Sequence, residues 1–244
     1  VDAEELRSVP AIDGRRRPGG TQAIPRPAAW RPGGPAPWAG RVDQVELGAR
    51  SVIDRVAQLR RERAPLVPTF PDARPSAVLV ALADGPSGAE VLLTRRAQHL
   101  SSHRGEMSFP GGRLDPGESP VEAALREAEE EVGLARSAVE VRCELDHLST
   151  VVSRSYIVPV VAHVHGRPEL RAGTSEVDRI LWVPLAELAR DDTYAEEWWG
   201  TPPLDRPMFF FHLDDETVWG ATGRMLHELL RLAFGVDGPP PPSW

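Results

Sequence analysis

Residues 119–133, SPVEAALREAEEEVG, leave the backbone few choices and frame the rest of the chain. Ser119-Pro120-Val121-Glu122 is a capping box with proline at the first helical position, which starts a helix. Gly133 suits the left-handed position just past a helix end. At about 100° per residue, Val121, Leu125, Ala128 and Val132 fall on one stripe, the face expected to meet a core. The last turn is badly chosen for a helix standing alone. Four glutamates, Glu127, Glu129, Glu130 and Glu131, crowd into five positions. They oppose the macrodipole at its negative end, and each i,i+4 like-charge pair costs roughly 0.2–0.5 kcal/mol.

The acids divide by direction. Glu127, Glu130 and Glu131 gather on a face away from the apolar stripe, with the small Ala123 below them, whereas Glu129 points elsewhere as plain surface. Three carboxylates beside the Gly-rich stretch FPGG (109–112) make an all-oxygen site for a hard cation such as Mg²⁺ or Mn²⁺. The cation would reverse the sign of the local electrostatics. A solvated acidic helix face would also account for the cluster taken by itself.

Strand patterns flank this helix. SAVLVALA (76–83) and AEVLLTRR (89–96), joined by DGPSG, read as a hairpin. Residues 139–152 and 155–165 are β-rich, and RILWVPL (179–185) enters the helix start PLAELA. PMFFFHL and TVWG flank a turn at Asp214–Asp215, with MFFF (208–211) as core. TGRMLHELLRLAFG (222–235) closes as an amphipathic helix with Gly235 past its end. Strands on both sides of a central helix predict an α/β sandwich built on a mixed sheet.

The N-terminal part differs in composition. Residues 1–42 form a Pro/Gly/Arg-rich arm, in which Trp30 and Trp38 imply some packing on the body. The Arg15–Arg17 triplet reads as a solvated charge run or as a phosphate contact. A helix follows over 43–64, with Val45, Ala49, Val52, Ile53, Val56 and Leu59 on one face and Pro65 and Pro68 stopping it. The main domain spans 65–236, and 237–244 is a loose Pro-rich tail.

Charge and cysteine usage narrow the function. A net charge of −8 argues against a nucleic-acid or membrane surface. All 28 basic residues are Arg, so any side-chain cation meeting a phosphate is a guanidinium fork. A single cysteine, Cys143, leaves no intramolecular disulfide and reads as a buried thiol. No apolar run reaches about 18 residues and VDAEELRSVP lacks a leader pattern, so a cytoplasmic protein is expected. His163 and His165 share one side of a strand and read as a polar sheet face. His99 and His103 have i,i+4 spacing without an acidic HExxH context.

The wider spacing gives the glutamates their meaning. Residues 112–134 read G-x5-E-x7-R-E-U-x-E-E-x-G-U, with U apolar: Gly112, Glu118, Arg126, Glu127, Ala128, Glu130, Glu131, Gly133 and Leu134. Seven strict positions at about 7% each would match by chance roughly once in 10⁸ starts. The pattern resembles the Nudix box of the Nudix hydrolases. The resemblance implies an α/β/α sandwich and a Mg²⁺- or Mn²⁺-dependent hydrolase of diphosphates linked to another moiety. It also implies Glu127 and Glu131 as metal ligands, and Glu130 as a further ligand or the catalytic base. Arg126 would hold a box carboxylate, the Gly112 carbonyl would join the metal shell, and Glu118 would fix the loop.

Upstream, LLTRRAQHLSSHRGEMSFPGG (92–112) resembles the signature of the coenzyme A pyrophosphatase branch. Leu92, Leu93, Thr94, Arg96, Ala97, Gly105, Phe109, Pro110, Gly111 and Gly112 fit it, while Ser101 stands where that pattern has Arg. The resemblance implies cleavage of CoA or acyl-CoA to 3′,5′-ADP and (acyl-)4′-phosphopantetheine. Arg96, Arg104, Arg113, Phe109 and Gly111 are then candidate substrate contacts. ADP-ribose, a dinucleotide or another nucleoside diphosphate derivative is the alternative substrate. A Nudix fold serving as a ligand-sensing or interaction module is the alternative of another class, and a homodimer stays open. The four-cysteine zinc module of NADH-cleaving relatives cannot be built from one cysteine.

Overall fold

The computed structural model describes residues 17–61, 72–100, 102–150 and 154–236. In chain order the elements begin with β1 (Trp30–Pro32), α1 (Ala49–Arg60), β2 (Arg74–Gly85), β3 (Gly88–Arg96), β4 (Met107–Ser108) and β5 (Gly111–Arg113). Then come α2 (Pro120–Val132), β6 (Val139–Glu144), β7 (Leu148–Ser149), β8 (Ser155–Val164), β9 (Val177–Pro184) and α3 (Leu185–Leu188). β10 (Tyr194–Trp199), β11 (Arg206–His212), β12 (Thr217–Val218) and α4 (Gly220–Ala233) complete them.

The larger sheet is mixed, as expected. β2 and β8 run parallel from Arg74↔Ser155 to Leu82↔His163, and β3, β6 and β9 join antiparallel. Both faces of its centre are covered, which is why β2 and β8 read as apolar runs rather than alternations. Ala77, Leu79, Ala81 and Ala83 of β2 face α2, together with Val158, Val160 and Ala162 of β8. Val80, Leu82 and Val161 point the other way, into a core shared with Val52, Ile53 and Val56 of α1 and with α4. Helices on opposite faces of a mixed sheet give the α/β/α layering.

One irregularity of this sheet positions the site. β2 and β3 pair only near their turn, Leu82↔Val91 to Gly85↔Gly88, and then separate. β4 lines β3 at Thr94 and Arg95, and β5 lines β2 at Ser76–Val78. Phe109-Pro110-Gly111-Gly112 therefore lies in the opening between the two strands, where the Leu79 N–H donates to the Pro110 carbonyl at 2.8 Å. Gly111 takes φ 157°, and a Cβ there would stand 2.4 Å from the Ala77 carbonyl oxygen, so only glycine fits.

The described part of the arm packs on the body, as its tryptophans imply: β1 pairs with β10 in a second, four-stranded sheet ordered β1-β10-β11-β12, and Trp38 is wholly buried. Its indole N–H donates to the Ala189 carbonyl at 3.0 Å, and its ring meets Tyr194 edge-on at 5.0 Å. The helix expected over 43–64 is shorter, because 42–44 form a separate 3₁₀ turn and α1 starts at Ala49, whose N–H is taken by Asp84 at 2.7 Å. The described residues of α1 end before Pro65 and Pro68, and these prolines, Arg15, Arg16, Ser101 and the 237–244 tail lie outside the described residues.

The closing helix α4 is present as expected, and its polar side is enclosed too: every residue from Thr222 to Ala233 is buried, including Arg224, His227, Glu228 and Arg231. Glu228 receives the Asp146 N–H at 3.0 Å, Arg60 of α1 bonds Asp146, and the Tyr194 hydroxyl is 3.3 Å from His227 Nδ1. Burial pushes the Glu228 carboxyl up, and the neighbouring Asp146 charge adds to this. Gly235, at φ 65°, does follow the helix as expected. No helix among the described residues is long and apolar enough to cross a membrane.

Candidate active site

The site is built around the last two turns of α2. Ser119 caps the helix, with the Glu122 N–H donating to Ser119 Oγ at 3.3 Å and the Ser119 N–H to Glu122 Oε2 at 2.9 Å. Gly133 closes it at φ 70°. The buried face comprises Ala123, Ala124, Ala128, Glu131 and Val132, while Val121 and Leu125 sit at its margin. The small residues let α2 lie close on β2, which brings Glu127 and Glu131 against the FPGG strand.

Arg126 organises the acids. Its Nε and Nη2 donate to Glu118 at 2.9 and 3.0 Å, a bidentate pair, and Nη2 also reaches the Arg113 carbonyl at 3.1 Å. Its Nη1 donates to Glu127 at 3.0 Å and to Glu130 at 3.4 Å. Such charge-assisted bonds hold side chains in one geometry. They also hold Glu118 below the usual carboxylate range. Glu127 is raised instead, because its burial outweighs the Arg126 contact.

Glu131 is the extreme case. It is 7% exposed and accepts one bond, from the Gly111 N–H at 3.2 Å. Burial pushes it up to about 7; the Gly111 bond opposes this, the neighbouring Glu127 charge adds to it and the Arg96 charge opposes it. Glu129 faces away and pairs with Arg136 at 3.1 Å, as plain surface.

Glu127, Glu130 and Glu131 are brought to one end of α2 but do not close on a point. Among the described residues, the trio of candidate ligand atoms lying within 4.8 Å of one another is Glu140, His163 and His165. The reason is local: Glu127 and Glu130 turn to Arg126, whereas Glu131 turns to Gly111. The residues nonetheless suit a hard divalent ion, since every donor is an oxygen. Gly112 lies against this set so closely that a Cβ there would stand 2.3 Å from Glu127 Oε1.

The proposed substrate contacts separate into groups. Arg96 is half-buried, with Nη2 3.3 Å from Glu176 and a buried Nε lacking a partner among the described residues. Arg104 and Arg113 are exposed. Phe109 departs from the expectation: at 2% exposure it packs in the core with Met107 and Leu93, so its ring anchors the loop and is not open to a ligand. Gly111 presents its N–H to Glu131.

One contributor escaped the sequence. The loop at Arg171–Gly173 covers the end of α2, with the Arg171 N–H donating to the Val132 carbonyl at 3.1 Å and the Gly173 N–H to that of Glu131 at 2.9 Å. A Cβ at Gly173 would stand 2.1 Å from the Glu130 carbonyl oxygen, so the glycine in RAGTS was the available signal.

The site is thus a capped helix presenting glutamates beside a glycine strand, on a mixed sheet between helices. The NUDIX domain family matches residues 73–200. Nudix hydrolase 3 of Caenorhabditis elegans is 34% identical over 174 residues, 64% of this chain and 71% of its own. Nudix hydrolase NudL of Photorhabdus laumondii is 34% identical over 190 residues, 77% of this chain and 93% of its own. Among solved structures, a MutT/nudix family protein from Enterococcus faecalis aligns over 72% of this chain and 71% of its own, with 17% identity and a TM-score of 0.44. The chain belongs to the Nudix hydrolase family, whose members act on phosphoanhydride bonds.

Proposed function

We propose that this chain hydrolyses the diphosphate of CoA or an acyl-CoA, giving 3′,5′-ADP and (acyl-)4′-phosphopantetheine, with Mg²⁺ or Mn²⁺ as cofactor. The observation that supports the reading most directly is the contact between the end of the 92–112 signature and the box glutamates. Gly111 binds Glu131, and Gly112 abuts Glu127. Such a substrate implies a cytoplasmic enzyme.

Glu127 and Glu131 would hold the metal, with Glu130 and the Gly112 carbonyl as further donors. When bound, the ion neutralises diphosphate oxygens and makes a bound water more acidic. The protein's own groups do the rest. Glu130, the most exposed of the three acids, would take a proton from the attacking water. The water oxygen bonds to one phosphorus, the bridging P–O bond breaks, and the released phosphate leaves with that oxygen. Arg126 keeps Glu127 and Glu130 oriented, and the half-buried Arg96, whose charge acts on Glu131, would offer its exposed guanidinium edge to a phosphate oxygen. Ser101 in place of the signature arginine favours a second reading, the same chemistry on ADP-ribose or another nucleoside diphosphate derivative.

The test is a panel of CoA, ADP-ribose, NADH and nucleoside triphosphates with Mg²⁺ or Mn²⁺. CoA should be cleaved fastest, and Glu127→Gln should lose at least 100-fold in kcat while keeping its fold. Cleavage of another member with CoA untouched would refute the CoA reading alone. Wild-type rates in Glu127→Gln would refute the site.

A further inference from the structure

His163 is the exception in the central sheet. Residues 158–164 of β8 are all buried, and the others are apolar, yet His163 stands among them at 8% exposure. Its Nδ1 is buried with no hydrogen-bond partner among the described residues. A polar sheet face explains His165, which is exposed, but not a buried imidazole with an unpaired nitrogen.

The neighbours of His163 are metal-binding groups. Its ring meets that of His165 edge-on, with centroids 4.9 Å apart. Glu140 lies opposite His163 in the β6–β8 register, and its Oε2 is 3.8 Å from His165 Nε2. One ligand atom from each of the three lies within 4.8 Å of the others. Asp84 adds a carboxylate whose Oδ2 is 4.0 Å from His163 Nε2.

We propose that Glu140, His163 and His165 bind a divalent transition-metal ion of the zinc class, at a site separate from the α2 glutamates. Two imidazoles and one carboxylate suit zinc, cobalt or nickel and not magnesium, which prefers oxygen donors alone. Tetrahedral zinc bonds of about 2.0–2.1 Å require the ligand atoms to draw together by up to about 1.5 Å. The two ligands nearer solvent can do this: His165 lies just past the end of β8, and Glu140 is on the outer strand β6. Glu140 is held by Arg142 at 3.0 Å and Arg50 at 3.4 Å. Both can release it, because Arg142 keeps Asp54 at 2.6 Å and Arg50 is more than half exposed.

The two sites lie on opposite faces of the sheet. Val158, Val160, Ala162 and Val164 point to α2, so His163, between the last two, points to the α1 side. The β5 glycines pair with β2 at Ala77 and Val78, whereas His163 pairs with Leu82, five residues from Val158, the partner of Ala77. At about 3.3 Å per residue that is ~16 Å along the strand.

Untagged protein stripped with EDTA should bind one equivalent of Zn²⁺ in a titration containing millimolar Mg²⁺. Co²⁺ should give a visible absorption band there. His165→Ala and Glu140→Gln, both toward solvent, should weaken Zn²⁺ at least tenfold and abolish the band, with unchanged circular dichroism. Glu127→Gln should leave both signals intact. If one ligand variant fails to fold, the other gives the answer. An unchanged Co²⁺ band in both ligand variants, loss of the band in Glu127→Gln, or absence of Zn²⁺ binding by the wild type would each overturn the proposal.

Discussion

Glu131→Gln should stabilise the metal-free protein above neutral pH, although it removes a proposed metal ligand. The Glu131 carboxyl is pushed from an ordinary 4.5 up to about 7 in the fold, with burial as the main cause. The fold therefore favours its neutral form. Its contribution is fully present below pH 4.5 and is lost as pH rises through 7, where the buried group must ionise. At 1.36 kcal/mol per pKa unit, this interval corresponds to about 3 kcal/mol. Glutamine is neutral at every pH and can accept the Gly111 N–H through its amide oxygen. Urea unfolding in EDTA from pH 4.5 to 8.5 should show wild type and variant close together at the acid end. The variant should be about 2–3 kcal/mol more stable at the alkaline end. Saturating Mg²⁺ or Mn²⁺ should raise the wild-type melting temperature at pH 8 and leave that of the variant nearly unmoved. Parallel pH curves would refute the account of Glu131 as a buried acid. A metal shift of equal size in both proteins would refute it as a ligand.

Two further substitutions probe the surroundings. Gly112→Ala would place a Cβ 2.3 Å from Glu127 Oε1, and the flexible carboxylate must move; hydrolase activity should fall at least tenfold while melting shifts by only a few degrees. Trp38→Ala should cost about 3–5 kcal/mol in urea unfolding, as expected for a fully buried large side chain; a change within 0.5 kcal/mol would mean that the arm is not part of the folded body.

The parts of the fold legible in the sequence were those set by neighbours along the chain. The capping box, Gly133, the 85–88 turn of the first hairpin and the FPGG glycine are local signals, and each is realised locally. In the second sheet the turn between β11 and β12 was legible, but β1 and β10 were not, because their determinants are remote. β10 contains Glu196 and Glu197, poor strand residues, yet Glu197 is 3% exposed and is held by Arg26 at 2.8 and 2.6 Å across 171 residues. β1 has three residues, and nothing in WRP announces that it will pair with Trp199, Trp198 and Glu197. The enclosure of the polar side of α4 was not legible for the same reason: Arg60 and Asp146, which cover Glu228, come from elsewhere in the chain. At the site, helical spacing gave the direction of each glutamate but not its partner. Arg126 lies where periodicity puts it, but its bidentate hold on Glu118 depends on how the 113–118 loop returns to α2.

The acidic end of α2 is stable because its four charges are dealt with separately. Arg126 meets Glu127 and Glu130, and Arg136 meets Glu129. The helix-end carbonyls of Glu131 and Val132, the source of the unfavourable dipole, are taken by the 171–173 loop. Glu131 alone of the four meets no guanidinium within salt-bridge distance among the described residues, and it is also the most buried. If the cluster were only a solvated acidic face, repulsion would turn its side chains outward into water, where each would need no partner. The fold does the reverse. It pairs three of the acids with two arginines, one of them shared with Glu118, and buries the fourth against a glycine N–H that cannot supply a full positive charge. Two guanidiniums for Glu118, Glu127, Glu129 and Glu130 leave the helix end short of positive charge, with Glu131 lacking any such partner beside the glycine strand, and a bound divalent cation there would relieve the deficit.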